Sequence, residues 1–93
     1  MDKLELFNRL IDVVTPVNSM GAKAEALSDP LSETGLDSLD LLMMAIYLSD
    51  IYGVPEEIAK TMQPLTVNDM FVFMEGHATK TPTNLQEALD SVK

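Results

Sequence analysis

Asp37-Ser38-Leu39-Asp40-Leu41-Leu42-Met43-Met44-Ala45-Ile46-Tyr47-Leu48-Ser49-Asp50-Ile51-Tyr52-Gly53 is the stretch whose reading decides the fold. A side-chain oxygen from Asp37 or Ser38 can accept the unpaired N–H groups of a first helical turn. Gly53 supplies a C-terminal stop. Between them Leu41, Met44, Ala45, Leu48 and Tyr52 recur at helical spacing and form the predicted core stripe. Leu39, Met43, Ile46 and Tyr47 lie off that stripe and are apolar too. One helix in a small domain seldom buries every side, so some of these residues are expected at the surface. An exposed apolar patch usually marks a binding surface.

Upstream, Leu4, Phe7, Leu10, Ile11 and Val14 keep the same rhythm and predict a first helix over Leu4 to Val14, stopped by Pro16. Thr15 to Asp37 is rich in Pro, Ser, Gly and Asp and reads as a long connection, with a short helical piece over Ala22 to Leu27. Connections of this length commonly carry function or wrap the core, and Leu31 and Leu36 are expected to pin this one down. Downstream, Pro55 opens a short third helix with Glu56 and Glu57 at its favourable end, Ile58 and Met62 facing inward and Pro64 ending it. Thr66 or Asn68 caps a fourth helix, with Val67, Met70, Phe71 and Met74 on one side and Gly76 closing it. Leu85 to Val92, after a capping box of Thr83 and Gln86, forms a helix or a tail. The pattern predicts an all-α bundle with one long first loop and no strand.

Ninety-three residues suit one core. The seven Met suit a deformable interior or an adaptable contact surface. The longest apolar run, Leu41 to Leu48, is eight residues, far short of the roughly 20 that a spanning helix needs. The N-terminus shows no signal-peptide pattern. With no Cys, there is no disulfide or cysteine nucleophile, which fits a cytoplasmic location. Six basic against fifteen acidic residues give a net charge of −9, which disfavours nucleic acid and anionic membrane as partners. From Ala24 to Ala59 there is no Lys or Arg at all. That stretch either attracts basic partner surfaces or serves solubility alone. The single His77 reads as a surface residue, and the dispersed acids lack the alternation of a calcium loop, so no metal site is expected.

Chemistry concentrates at Asp37-Ser38-Leu39-Asp40. A hydroxyl at a helix N-terminus suits an attached phosphate, because free N–H groups and the positive end of the dipole stabilise a phosphodiester. Here the sequence resembles the acyl carrier protein family. The resemblance rests on Asp37-Ser38-Leu39, its Gly35-Leu36 lead-in, the position before a helix, and the short helix after Gly53-Val54-Pro55. It covers roughly Leu4 to Glu75. It implies an acyl-carrier-like four-helix bundle over residues 1–76, with residues 77–93 as a C-terminal extension.

The resemblance also implies a function. A phosphopantetheinyl transferase would attach 4′-phosphopantetheine from coenzyme A to Ser38, with Asp37 and Leu39 beside it. The monomeric, non-catalytic carrier would then present acyl thioesters to acyl-loading and acyl-processing enzymes with basic or apolar docking surfaces. Many fatty-acid carriers line the outer face of the serine-led helix with Glu; here Met43, Ile46, Tyr47 and Ser49 occupy much of that helix. The partner surface at Asp40, Met43, Ile46 and Tyr47 is therefore expected to be more hydrophobic, serving a specialised lipid or polyketide-type pathway. Two other readings remain: a cofactor-free acidic helical adaptor, and a peptidyl carrier.

Overall fold

A computed structural model describes residues 2–14 and 23–92. They form α1 (Lys3–Val14), a 3-10 turn (Leu31–Glu33), α2 (Ser38–Tyr52), α3 (Glu56–Ala59), α4 (Val67–His77) and α5 (Leu85–Asp90). Regular structure among the described residues is thus helical, apart from one isolated antiparallel bridge between Pro30 and Thr66. None of these helices is long and apolar enough to cross a membrane.

The core forms where α1, α2 and α4 meet. Phe7, Leu10 and Ile11 of α1 are buried as their spacing predicts, and Leu6 is buried with them. The extra residue has a tertiary cause: α1 packs against both α2 and α5, and a helix with two neighbours buries more than one stripe. From α2 come Met44, Ala45, Leu48 and Tyr52, joined by Ile51, while Leu41 packs at the edge. From α4 come Val67, Met70, Phe71 and Met74. The rings of Phe7 and Phe71 meet 6.5 Å apart and tilted by 60°, a favourable aromatic geometry. Lys3 and Glu75 pair at 2.9 Å between α1 and α4.

The described part of the long connection is held by hydrogen bonds to the helices. Asn8 of α1 donates to Ala24 O and accepts from Ala24 N–H, both at 2.9 Å. At the far end, the first N–H groups of α4 lack intrahelical partners. Val67 N–H donates to Asp29 O (3.1 Å) and Asn68 N–H to Leu27 O (2.8 Å). Asp69 N–H donates to the Thr66 hydroxyl, while the Asp69 carboxylate accepts from Leu65 and Thr66 N–H, both at 3.0 Å. Of the two expected caps, Thr66 is the one used, in a full capping box. Leu31 and Leu36 are buried, so the connection is pinned where expected.

Several boundaries differ from the sequence expectation. Residues 23–24 are irregular and residues 25–28 form bends and a turn in place of a helical piece, because the Asp29 carboxylate takes the N–H groups of Glu25 and Ala26. Ala22 and the expected stop at Pro16 lie outside the described residues. Helix α3 ends at Ala59, well before Pro64, as Thr61 N–H turns back to Ile58 O and Met62 N–H to Ala59 O. Helix α4 runs through Gly76 to His77, so the expected boundary after residue 76 falls in its last turn. The C-terminal segment is a helix: α5 packs on α1 and buries Ala88. Its cap is Asn84, which accepts from Glu87 N–H at 2.8 Å; Thr83 instead donates to the Glu87 carboxylate, and the expected box with Gln86 does not form.

The capping box makes a pH-dependent contribution. Backbone N–H donors from Leu65 and Thr66 hold the Asp69 carboxyl below its ordinary range. A carboxyl lowered on folding contributes stability above its unfolded value and loses it as pH falls through the folded value. Asp69→Asn is therefore expected to be less stable than the parent chain at neutral pH, with the gap closing in acid, as followed by thermal unfolding across a pH series. Thr66→Ala is expected to lose about 1 kcal/mol at neutral pH.

Candidate functional site

The start of α2 is built from the loop side. Gly35 takes a left-handed conformation (φ 87°), which lets the chain turn tightly after the 3-10 turn. Leu36 then anchors in the core, and Asp37 is extended, with φ −85° and ψ −179°. Its carboxylate accepts from Asp40 N–H at 2.8 Å, and its carbonyl accepts from Leu41 N–H at 3.0 Å. Asp37 therefore does the capping. The consequence falls on Ser38, the first residue of the helix. It is exposed, and its hydroxyl makes no hydrogen bond among the described residues. It is free for another task.

Behind Ser38 lies an open cavity of about 190 Å³. Leu41, Leu42 and Ala45 line it from α2, three, four and seven residues on from Ser38, so one helix face carries both the hydroxyl and the apolar wall. Ala59, Lys60 and Met62 line it from the α3 side, with Leu31 and Met70 completing the interior. Lys60 is the one cation between Lys23 and Lys80. At this end Asp37 is exposed and Asp40 half-buried, while Glu56 and Glu57 are exposed at the start of α3. Lys60 is within 3.8 Å of Glu56 in an exposed pair that contributes little to stability.

The other end of α2 is closed. Gly53 adopts φ 65°, and a side chain there would strike Thr79. Thr79 donates its hydroxyl to Gly53 O at 2.6 Å, while Thr79 and Lys80 N–H both reach Tyr52 O. Burial pushes the Tyr52 phenol up, and the Glu75 carboxylate adds to the shift, so this end carries a neutral hydroxyl.

Of the expected partner-facing residues, Met43, Ile46 and Tyr47 are all half-buried, and Tyr47 packs against the core. The most exposed large apolar side chains near Ser38 in sequence are Leu39 (64% exposed) and Leu42 (47%), and Leu65 is 78% exposed just beyond Pro64, a cavity-lining residue. Leu42 was legible from its spacing to Ser38. Lys60, Met62 and Met70 had no local signal, since only the packing of α3 and α4 brings them to this face. His77 is exposed, stacked on Phe73 at 4.5 Å with Nδ1 3.0 Å from Phe73 O, far in sequence from this site. Among the described residues no group of three or more His, Asp or Glu is arranged to hold a metal ion.

Compared with protein-family models, curated proteins and solved structures, the chain matches none.

Exposure predicts how substitutions divide. Leu39→Glu is expected to leave stability within about 0.5 kcal/mol of the parent. Met44→Ala, in the fully buried stripe of the same helix, is expected to cost about 2–5 kcal/mol. Denaturant unfolding of the two variants checks the contrast. A large loss from Leu39→Glu would mean that this side chain is packed.

Proposed function

We propose that the chain is an acyl carrier protein whose prosthetic arm is attached at Ser38. The observation that carries this reading is an exposed, uncommitted hydroxyl at the start of a long helix, on the rim of an apolar cavity. A serine that serves as its own helix cap would have its oxygen occupied; here Asp37 has taken that role.

The residues present fit a 4′-phosphopantetheine group. Asp40 and Leu41 N–H are satisfied by Asp37, which leaves Ser38 and Leu39 N–H at the helix N-terminus to face a phosphodiester. In the attachment step the Ser38 oxygen bonds to the phosphorus of the pantetheine arm of coenzyme A. The pyrophosphate P–O bond breaks, adenosine 3′,5′-bisphosphate leaves, and the hydroxyl proton passes to a base of the transferase or to water. When bound, the arm supplies a terminal thiol that holds acyl groups as thioesters, a sulfur that the Cys-free chain lacks. The chain's own part is to hold the root of the arm at a fixed point, to offer apolar walls behind it, and to draw basic enzymes through Asp37, Asp40, Glu56 and Glu57. Partners with apolar docking pockets would engage Leu39 and Leu42, with Met43 and Ile46 at the edge. That apolar helix face supports a specialised lipid or polyketide-type pathway as the setting.

Incubation with coenzyme A and a promiscuous phosphopantetheinyl transferase, followed by intact-mass measurement, is expected to show the addition of one arm. Ser38→Ala is expected to abolish it. No addition to a folded sample would overturn the carrier reading in favour of an acidic adaptor binding through its exposed leucines.

A further inference from the structure

We infer that the cargo sheltered beside Ser38 is a short unsubstituted acyl chain of about four to six carbons, a reading that rests on the carrier function above. Volume bounds the cargo from above. At about 30 Å³ for a group the size of a water molecule, a cavity of about 190 Å³ takes about six such groups. Beyond them lies a close-packed interior: Met70, at the back of the cavity, is 1% exposed, and Met44 and Leu48 are fully buried in the same core. Interiors at this density do not admit further atoms without moving side chains or backbone. Ala45 and Ala59, both buried, are the small residues whose missing side-chain atoms leave the space open.

Charge sets the class of cargo. No carboxylate lines the cavity, and its one charged lining residue is Lys60. An aminoacyl cargo would bring an ammonium group against walls that carry no carboxylate, beside Lys60, whose exposed partner Glu56 lies outside the lining. Burying an unpaired charge is strongly unfavourable, so the walls select hydrocarbon over amino acid. The cavity thus separates an acyl carrier from a peptidyl carrier on grounds independent of the serine motif.

The test is a series of loaded proteins carrying straight acyl chains from two to twelve carbons. They are made with matched acyl-coenzyme A donors and a promiscuous transferase, and each is checked by intact mass. The readout is the rate at which hydroxylamine cleaves the thioester. Cleavage is expected to slow by up to about fourfold per added carbon, as each buried methylene favours the sheltered state. The trend should level off near six carbons. Ala59→Leu, loaded in the same way and checked by intact mass, is expected to lose the protection. Should that variant fail to fold, Met62→Ala is expected to move the plateau to longer chains. Cleavage independent of chain length, or protection still rising steadily to twelve carbons, would overturn the inference while leaving the carrier function intact. A glycyl or alanyl cargo protected as well as a four-carbon chain would overturn it too. Failure to load any member of the series would instead remove the carrier reading and this inference with it.

Discussion

The serine end of the molecule depends on how an irregular loop finds hydrogen-bond partners that it cannot supply to itself. Buried backbone N–H and C=O groups must be paired, and a loop has no ladder of its own in which to pair them. Here the loop borrows from two helices. Asn8 fastens Ala24 to α1, and the carbonyls of Leu27 and Asp29 accept the first N–H groups of α4, which have no partners within their own helix. Each side satisfies the other's unpaired groups. With Leu31 and Leu36 buried, the chain is delivered at a fixed place to Asp37.

That fixed delivery is what separates capping from chemistry at the start of α2. Two adjacent residues can each cap a helix, and the extended backbone of Asp37 assigns the task to its carboxylate. The Ser38 hydroxyl is thereby left facing solvent and the cavity. The same helix contributes Met44, Leu48 and Tyr52 to the core and leaves Leu39 and Leu42 exposed near its start. Exposed leucines cost solubility, and the carboxylates around them offset that cost while setting the sign of any partner that docks there.

The C-terminal segment has a structural part in this arrangement. Thr79 and Lys80 satisfy the carbonyl of Tyr52, and Thr79 that of Gly53, at the end of α2, while α5 covers a second side of α1. The far end of α2 is therefore held by residues distant in sequence, and α1, α3 and α4 all pack against the helix that carries the serine.

The sequence by itself determined where the helices begin and end to within a few residues wherever a capping residue, a glycine or a proline imposed a local rule. Asp37, Gly53, Pro55 and Thr66 all mark boundaries, because capping and backbone conformation are short-range effects. It also placed Ser38 at a helix start and separated most of the buried stripe of α2 from its outer face. It misplaced the end of α3 and the cap of α5, where competing side-chain and backbone acceptors a few residues apart differ by little energy. Only the tertiary structure decided that Asp37 and not Ser38 provides the cap, that Tyr47 packs against the core, and that α5 docks on α1. It alone assembled the cavity, since Leu31, Lys60, Met62 and Met70 reach Ser38 through the packing of separate elements. A periodic pattern reports which side of a helix is apolar; which neighbour covers that side, and how much space is left between them, is fixed by close packing among residues far apart in the chain.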